Sequence, residues 1–208
     1  MHSRRLAIAM LALGVPTLGT LAARAATARK AVTTDDVSMG HSRAPVTVIE
    51  YASVACPVCA RFNNDVFPDF KRKYIDTGKV FYVAREMLVH NPQLAGAGYL
   101  LARCAGEDKY FQVTDAIYHA QAAMELTGRY RQSLVKIAQD AGMTEQEFDA
   151  CTQDAAAAAA LNTRVNKGAA LFDVRSTPTF VINGVKVAEG FISMTELEQF
   201  IANAAPAR

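Results

Sequence analysis

Once its first segment is set aside, the sequence has no surplus of positive charge. The formal charge of +2 comes from 22 Lys and Arg against 20 Asp and Glu, but residues 1–25 hold three arginines and no acid. The remainder has 19 basic against 20 acidic residues, so no basic stripe is left to recruit nucleic acid or anionic lipid. Long apolar runs are equally scarce. The run from Leu6 to Leu21 is short of the roughly 20 residues that a membrane span needs, and Gly14 and Pro16 interrupt it. Internal repeats are absent. So is the ligand spacing of a structural zinc site, which takes four ligands in two close pairs. Cys104 and Cys151 have no cysteine or histidine at short spacing, and His41, His90 and His119 are scattered and read as ordinary histidines. Copper is the softer alternative for a thiol pair, but no histidine or methionine cluster accompanies it.

What is present begins with an address. Arg4 and Arg5 precede the apolar run, and Ala23-Arg24-Ala25 is a small-x-small site suited to signal peptidase. Residues 1–25 are therefore expected to be a cleaved export signal, which places the mature chain in the periplasm. The remaining ~183 residues suit one domain with a substantial core. All four cysteines lie in the exported part, where an even number is first read as disulfides. Of three possible pairings, the closeness of Cys56 and Cys59 favours 56–59 with 104–151. A cross-link between Cys104 and Cys151 fits cysteines that follow Leu101 and Phe148 by one helical turn, so both are expected on core-facing helix surfaces.

Residues 26–44 are polar without periodicity and read as a loosely attached arm. The stretch 45–53, PVTVIEYAS, is β-branched and apolar at both alternations, the mark of a strand covered on both faces. From Pro57 to about Thr77, Phe62, Val66, Phe70 and Tyr74 recur every four residues, which predicts a helix that Pro68 kinks. A second strand follows at 79–87, so strand, helix and strand imply a parallel pair. Residues from about 91 to 172 are alanine-rich and helical. Leu134, Ile137, Ala138 and Ala141 share one face, Gly142 ends that helix, and Thr144 with Glu147 forms a capping box for the next. Two short strands then flank Asn183-Gly184, a two-residue hairpin turn, and Ser193 with Glu196 caps a closing helix carrying Leu197, Phe200 and Ile201. The expected fold is α/β: one mixed sheet, built from β-α-β and β-β-α halves with a helical block of roughly 80 residues inserted between them.

Cys56-Pro57-Val58-Cys59 sits where a strand hands over to a helix. A ring that small removes little entropy from the unfolded chain, so a purely structural staple has little purpose there. The position suits electron transfer instead. Cys56 falls at the helix start, where free N–H groups and the helix dipole favour a thiolate, and Pro57 suits the first helical position. Cys59, three residues on, stays within bonding reach but lies deeper. Cys56 is thus expected to be the accessible attacking thiol and Cys59 the resolving one.

These features together resemble thioredoxin-fold thiol:disulfide interchange proteins of the DsbA type, over about residues 40–205. The resemblance rests on the Cys-x-x-Cys after a strand, the helical insertion, and Thr177-Pro178-Thr179-Phe180 before the hairpin. It implies that Pro178 is a cis-proline lying against the cysteines, with backbone left free to pair with an extended substrate strand. It further implies that Thr177 tunes redox behaviour and substrate release, and that Glu50 is a buried acid of raised pKa able to relay the Cys59 proton. No cofactor beyond the cysteine pair is implied. Partners would be folding exported proteins and a membrane protein that reoxidises or reduces the pair, with the chain acting as a monomer. One departure concerns Val58. Strongly oxidising members often carry histidine there, and valine offers the thiolate no charge. The leading reading is an oxidase; a reductase or isomerase is the alternative within the class, and a copper-binding protein the alternative outside it.

Overall fold

The computed structural model describes residues 32–205, so the expected export signal lies outside the described residues. A five-stranded sheet of order β1-β3-β2-β4-β5 forms the centre. Its strands are β1 (Val37–Met39), β2 (Val46–Ala52), β3 (Val80–Glu86), β4 (Thr179–Ile182) and β5 (Val185–Glu189). β2 and β3 run parallel, and the other pairs are antiparallel. Every residue of β2 is buried, as its doubly apolar pattern requires. The alternation still sorts the side chains: Ile49, Tyr51, Val83 and Val181 pack on one face, while Val48, Tyr82 and Phe180 join Phe62, Phe70 and Leu197 on the other. Burial of each such aromatic ring contributes roughly 1.5–3 kcal/mol.

The helix after the motif is interrupted, as Pro68 predicts. α1 (Pro57–Asp65) stops at Val66, and α2 (Phe67–Phe70) continues into a wide π-helical turn at Lys71–Ile75. Pro68 has no N–H for the carbonyl four residues earlier, so the ladder breaks there. The inserted block comprises α3 (Pro92–Cys104), α4 (Tyr110–Thr127), α5 (Tyr130–Asp140), α6 (Glu145–Thr152) and α7 (Ala155–Leu171). The Thr144–Glu147 capping box opens α6, and Asp154 caps the alanine-rich α7. α8 (Met194–Ala204) closes the chain behind the Ser193–Glu196 box. Asn183 adopts the left-handed backbone its turn requires, with φ 46°. Its side chain then ties three elements together, accepting from the Thr47 N–H at 2.8 Å and donating to the Ala204 carbonyl at 3.0 Å.

Two expectations need correction. The segment read as a loose arm is not loose from Val32 on. Val37–Met39 pairs with β3, and the buried Arg85 guanidinium holds Asp36 at 2.9 Å. The strand is only three residues long and half-buried, too short for an alternation to register. Cys104 and Cys151 are disulfide-bonded with Cα atoms 6.4 Å apart, but they do not both face the core. Cys151 is buried, whereas Cys104, the last residue of α3, is exposed. Helix ends project from a core even when the preceding turn is inside it. Among the described residues, no helix is long and apolar enough to cross a membrane.

Candidate active site

β2 ends at Ala52, and residues 53–56 carry the chain to α1. Main-chain groups on this short connection are taken up by other elements. Tyr99 Oη donates to the Ala52 carbonyl at 2.6 Å, and Gln121 Nε2 donates to the Val54 carbonyl at 2.8 Å. Ser53 Oγ accepts from the Ala55 N–H at 3.2 Å and donates to the Val89 carbonyl at 3.0 Å. α3 also approaches very closely: a Cβ on Gly98 would lie 2.9 Å from Val54 Cγ2. The helical block therefore holds the connection in place, through Tyr99, Gln121 and Gly98. None of these has a spacing signal relative to the motif.

Cys56 is the N-cap residue of α1, in extended conformation with Pro57 following. It is 0% exposed, where an accessible nucleophile was expected; the Thr177 carbonyl lies 3.5 Å from its sulfur. The Thr177–Pro178 peptide is cis, and the sulfur-to-carbonyl contact shows that the loop before β4 lies against the motif. The Thr177 hydroxyl is buried and has no hydrogen-bond partner. Such an orphan is costly unless a partner forms at some stage of function, and a Cys56 thiolate would be that partner.

The two thiols are separate in this structure and differ electrostatically. Cys56 is pulled from 9.0 down to about 5, first by the hydrogen bond from Cys59, then by Thr177, the Cys59 N–H and the charge of His90, against the cost of burial. Cys59 is pushed well above the ordinary thiol range by burial, by donating to Cys56 and by Glu50 nearby. Glu50, 4% exposed on β2, rises from 4.5 to about 7 because it is desolvated, although Tyr82 Oη donates to it at 2.6 Å. Glu50 also lines a cavity of about 320 Å³ with Tyr82, Tyr99 and Tyr118. Pro57 and Val58 are the exposed residues of the motif. Tyr82 and His90 are the contributors that spacing did not reveal. Tyr82 reads only as a strand aromatic, and His90 belongs to a loop 34 residues after Cys56. Among the described residues, no group of three or more His, Cys, Asp or Glu could hold a metal ion.

A strand-to-helix cysteine pair facing a cis-proline loop, on a sheet of this order, defines the thioredoxin class of folds. The family model described as Thioredoxin matches residues 32–203, and the chain belongs to that family. A Rickettsia conorii protein, provisionally named a protein-disulfide oxidoreductase, is 35% identical over 153 residues. That match covers 73% of this chain and 54% of the relative, so the chain spans about half the length of the Rickettsia relatives it matches. Disulfide bond formation protein D of Bacillus subtilis is 26% identical over 78% of this chain and 74% of its own length. The crystal structure of alpha-DsbA1 from Wolbachia pipientis superposes with a TM-score of 0.72 at 26% identity, covering 83% of this chain and 92% of that one.

Proposed function

We propose that the protein is a thiol:disulfide oxidoreductase that donates a Cys56–Cys59 disulfide to exported proteins. The observation that carries this reading is the asymmetry of the pair: a thiolate favoured at Cys56 and a protonated thiol favoured at Cys59. In the oxidised protein a client thiolate attacks the Cys56 sulfur, and the Cys59 sulfur leaves and takes a proton. A second client thiolate then attacks the client sulfur of the mixed disulfide and expels Cys56, the better leaving group because of its low pKa. The client loses two electrons and two protons. The protein keeps both electrons and one proton, on Cys59, and one proton passes to solvent. Glu50, poised near neutrality, is the group placed to handle the Cys59 proton. The sulfurs carry the electrons, so no cofactor is needed.

A thiolate with a pKa of about 5 instead of 9 stabilises the reduced form at pH 7 by roughly 2.7 kcal/mol. At about 1.4 kcal/mol per 30 mV, this raises the potential by up to about 60 mV, which supports an oxidase despite valine at position 58. The expected export signal and the Cys104–Cys151 bridge both suit an oxidising compartment such as the periplasm, where a membrane protein would regenerate the disulfide and the chain would act as a monomer. The test is trapping. Cys59→Ser should accumulate mixed disulfides with a reduced unfolded client, whereas Cys56→Ser should not. Trapping through Cys59 alone, or reoxidation of the client that survives Cys56→Ser, overturns the assignment. Faster reduction than oxidation of clients in a glutathione buffer would instead place the protein among reductases.

A further inference from the structure

We infer that His90, outside the Cys-x-x-Cys motif, is a positioning residue that supplies positive charge to the Cys56 thiolate and thereby helps set the potential of the couple. The inference rests on the thiol:disulfide reading above.

The starting point is a deficit. No charged side chain lies in the first turn of α1, and the residues between the cysteines are proline and valine. A thiolate there has hydrogen-bond donors but no cation in that turn; Arg61, further along α1, pairs with Asp65 at 3.7 Å and lies over the Phe191 ring. The loop between β3 and α3 supplies one. It is clamped on both sides of His90: the Ser53 hydroxyl donates to the Val89 carbonyl at 3.0 Å, and the Asn91 side chain caps α3 by accepting from the Leu94 N–H at 3.1 Å. The first clamp ties the loop directly to the connection that carries Cys56. Between the clamps His90 adopts a left-handed backbone with φ 68°, a conformation that a side chain with a Cβ takes at a steric cost. His90 then lines an open groove of about 580 Å³ together with Ala55 and Pro57, the two residues that flank Cys56 in the chain. The electrostatics agree with this placement, since the charge of His90 lowers the Cys56 pKa.

Glu125, near the end of α4, is the other titratable residue lining the groove. Its carboxylate accepts from Tyr130 Oη at 2.9 Å, which orders it. The groove therefore holds an imidazole and a carboxylate on the lining that Ala55 and Pro57, the chain neighbours of Cys56, also form. His90 and Glu125 are both exposed, so the charge acts through partly aqueous surroundings. A charge acting from an exposed residue in this way moves a pKa by about 0.2–0.7 unit, which is about a 1.5- to 5-fold change in the equilibrium with glutathione.

The experiment compares His90→Asn and His90→Lys with the parent chain. Asparagine tolerates the left-handed backbone, so the neutral variant should keep the turn, with thermal unfolding as the check; His90→Gln is a second neutral variant. The thiolate is followed by its absorbance at 240 nm against pH, with the potential measured against glutathione. In the neutral variants the Cys56 midpoint should rise by about 0.2–0.7 unit at low salt, and the reduced form should lose the same factor of stability in the glutathione equilibrium. His90→Lys should restore the low midpoint. In about 1 M salt, where screening acts within about 3 Å, the neutral variants and the parent should converge. A midpoint within 0.1 unit of the parent in both neutral variants, or a rise in His90→Lys equal to that in His90→Asn, overturns the inference. Cys56→Ser separates this failure from that of the underlying reading: if the low-pH thiolate absorbance survives the loss of Cys56, the site assignment itself is wrong.

Discussion

Removing the Thr177 hydroxyl should shift a bend in the pH dependence of the redox potential. Below the Cys56 pKa, reduction of the disulfide takes up two protons for two electrons, and the potential falls by about 60 mV per pH unit. Above it only Cys59 takes a proton, and the slope is about 30 mV per pH unit. The bend of the parent protein belongs at about pH 5. Thr177 contributes to that low value, and its hydroxyl has no other partner. A hydrogen bond to a charged group contributes about 1.5–3 kcal/mol, so Thr177→Val, which keeps the shape and deletes the donor, should move the bend up by about one to two units. At pH 7 the couple becomes about 30–60 mV less oxidising. The stability sign follows the same linkage. Cys56 has a depressed pKa in the folded reduced protein. Its contribution is therefore full above the unfolded thiol's 9.0, declines as pH falls, and is gone below about 5; in Thr177→Val it should vanish already near pH 6–7. The oxidised protein, which has no thiolate, should be as stable or slightly more stable, since a buried unpaired hydroxyl is gone. Glutathione equilibria between pH 4 and 8 measure the bend. An unmoved bend in Thr177→Val would refute the role assigned to the hydroxyl.

Glu50→Gln should stabilise the reduced protein at alkaline pH. The folded pKa of about 7 lies above 4.5, so the native state holds an extra proton between those values and stability drops as pH rises through them. The glutamine variant escapes that penalty, worth up to roughly 3 kcal/mol at pH 8 and nothing at pH 4. Urea unfolding at the two pH values is the check; an equal change at both would mean the carboxyl is not titrating as assigned. Client exchange should slow in the same variant if Glu50 handles the Cys59 proton. Cys104→Ala with Cys151→Ala opens a cross-link of sequence separation 47, which the chain-entropy model values at about 4 kcal/mol. Thermal unfolding should fall accordingly while client oxidation is largely spared, and unchanged stability would remove the bridge's structural role.

Much of this protein is local and therefore readable along the chain. The two faces of β2, the break at Pro68, the Asn183-Gly184 turn and both capping boxes depend on residues within a few positions of one another. The Cys-x-x-Cys at a strand-to-helix junction carries its own chemistry, because the free N–H groups of a helix start are a property of any helix. Distance in sequence marks the limit. β1 escaped notice because three residues carry no period and are held by pairing with β3 and by Arg85, 49 positions from Asp36. Burial of Cys56 was likewise decided by a loop 121 residues away. The partners that separate the two thiols also come from elsewhere in the chain: the orphaned Thr177 hydroxyl, the Tyr82–Glu50 hydrogen bond, and His90 on its clamped loop. A pKa depends on what surrounds a group in space, through desolvation, hydrogen bonds and charge. The sequence alone pointed to the residues that would carry the proposed redox chemistry; only the packing of the helical block and the cis-proline loop around them decided how strongly each sulfur holds its proton.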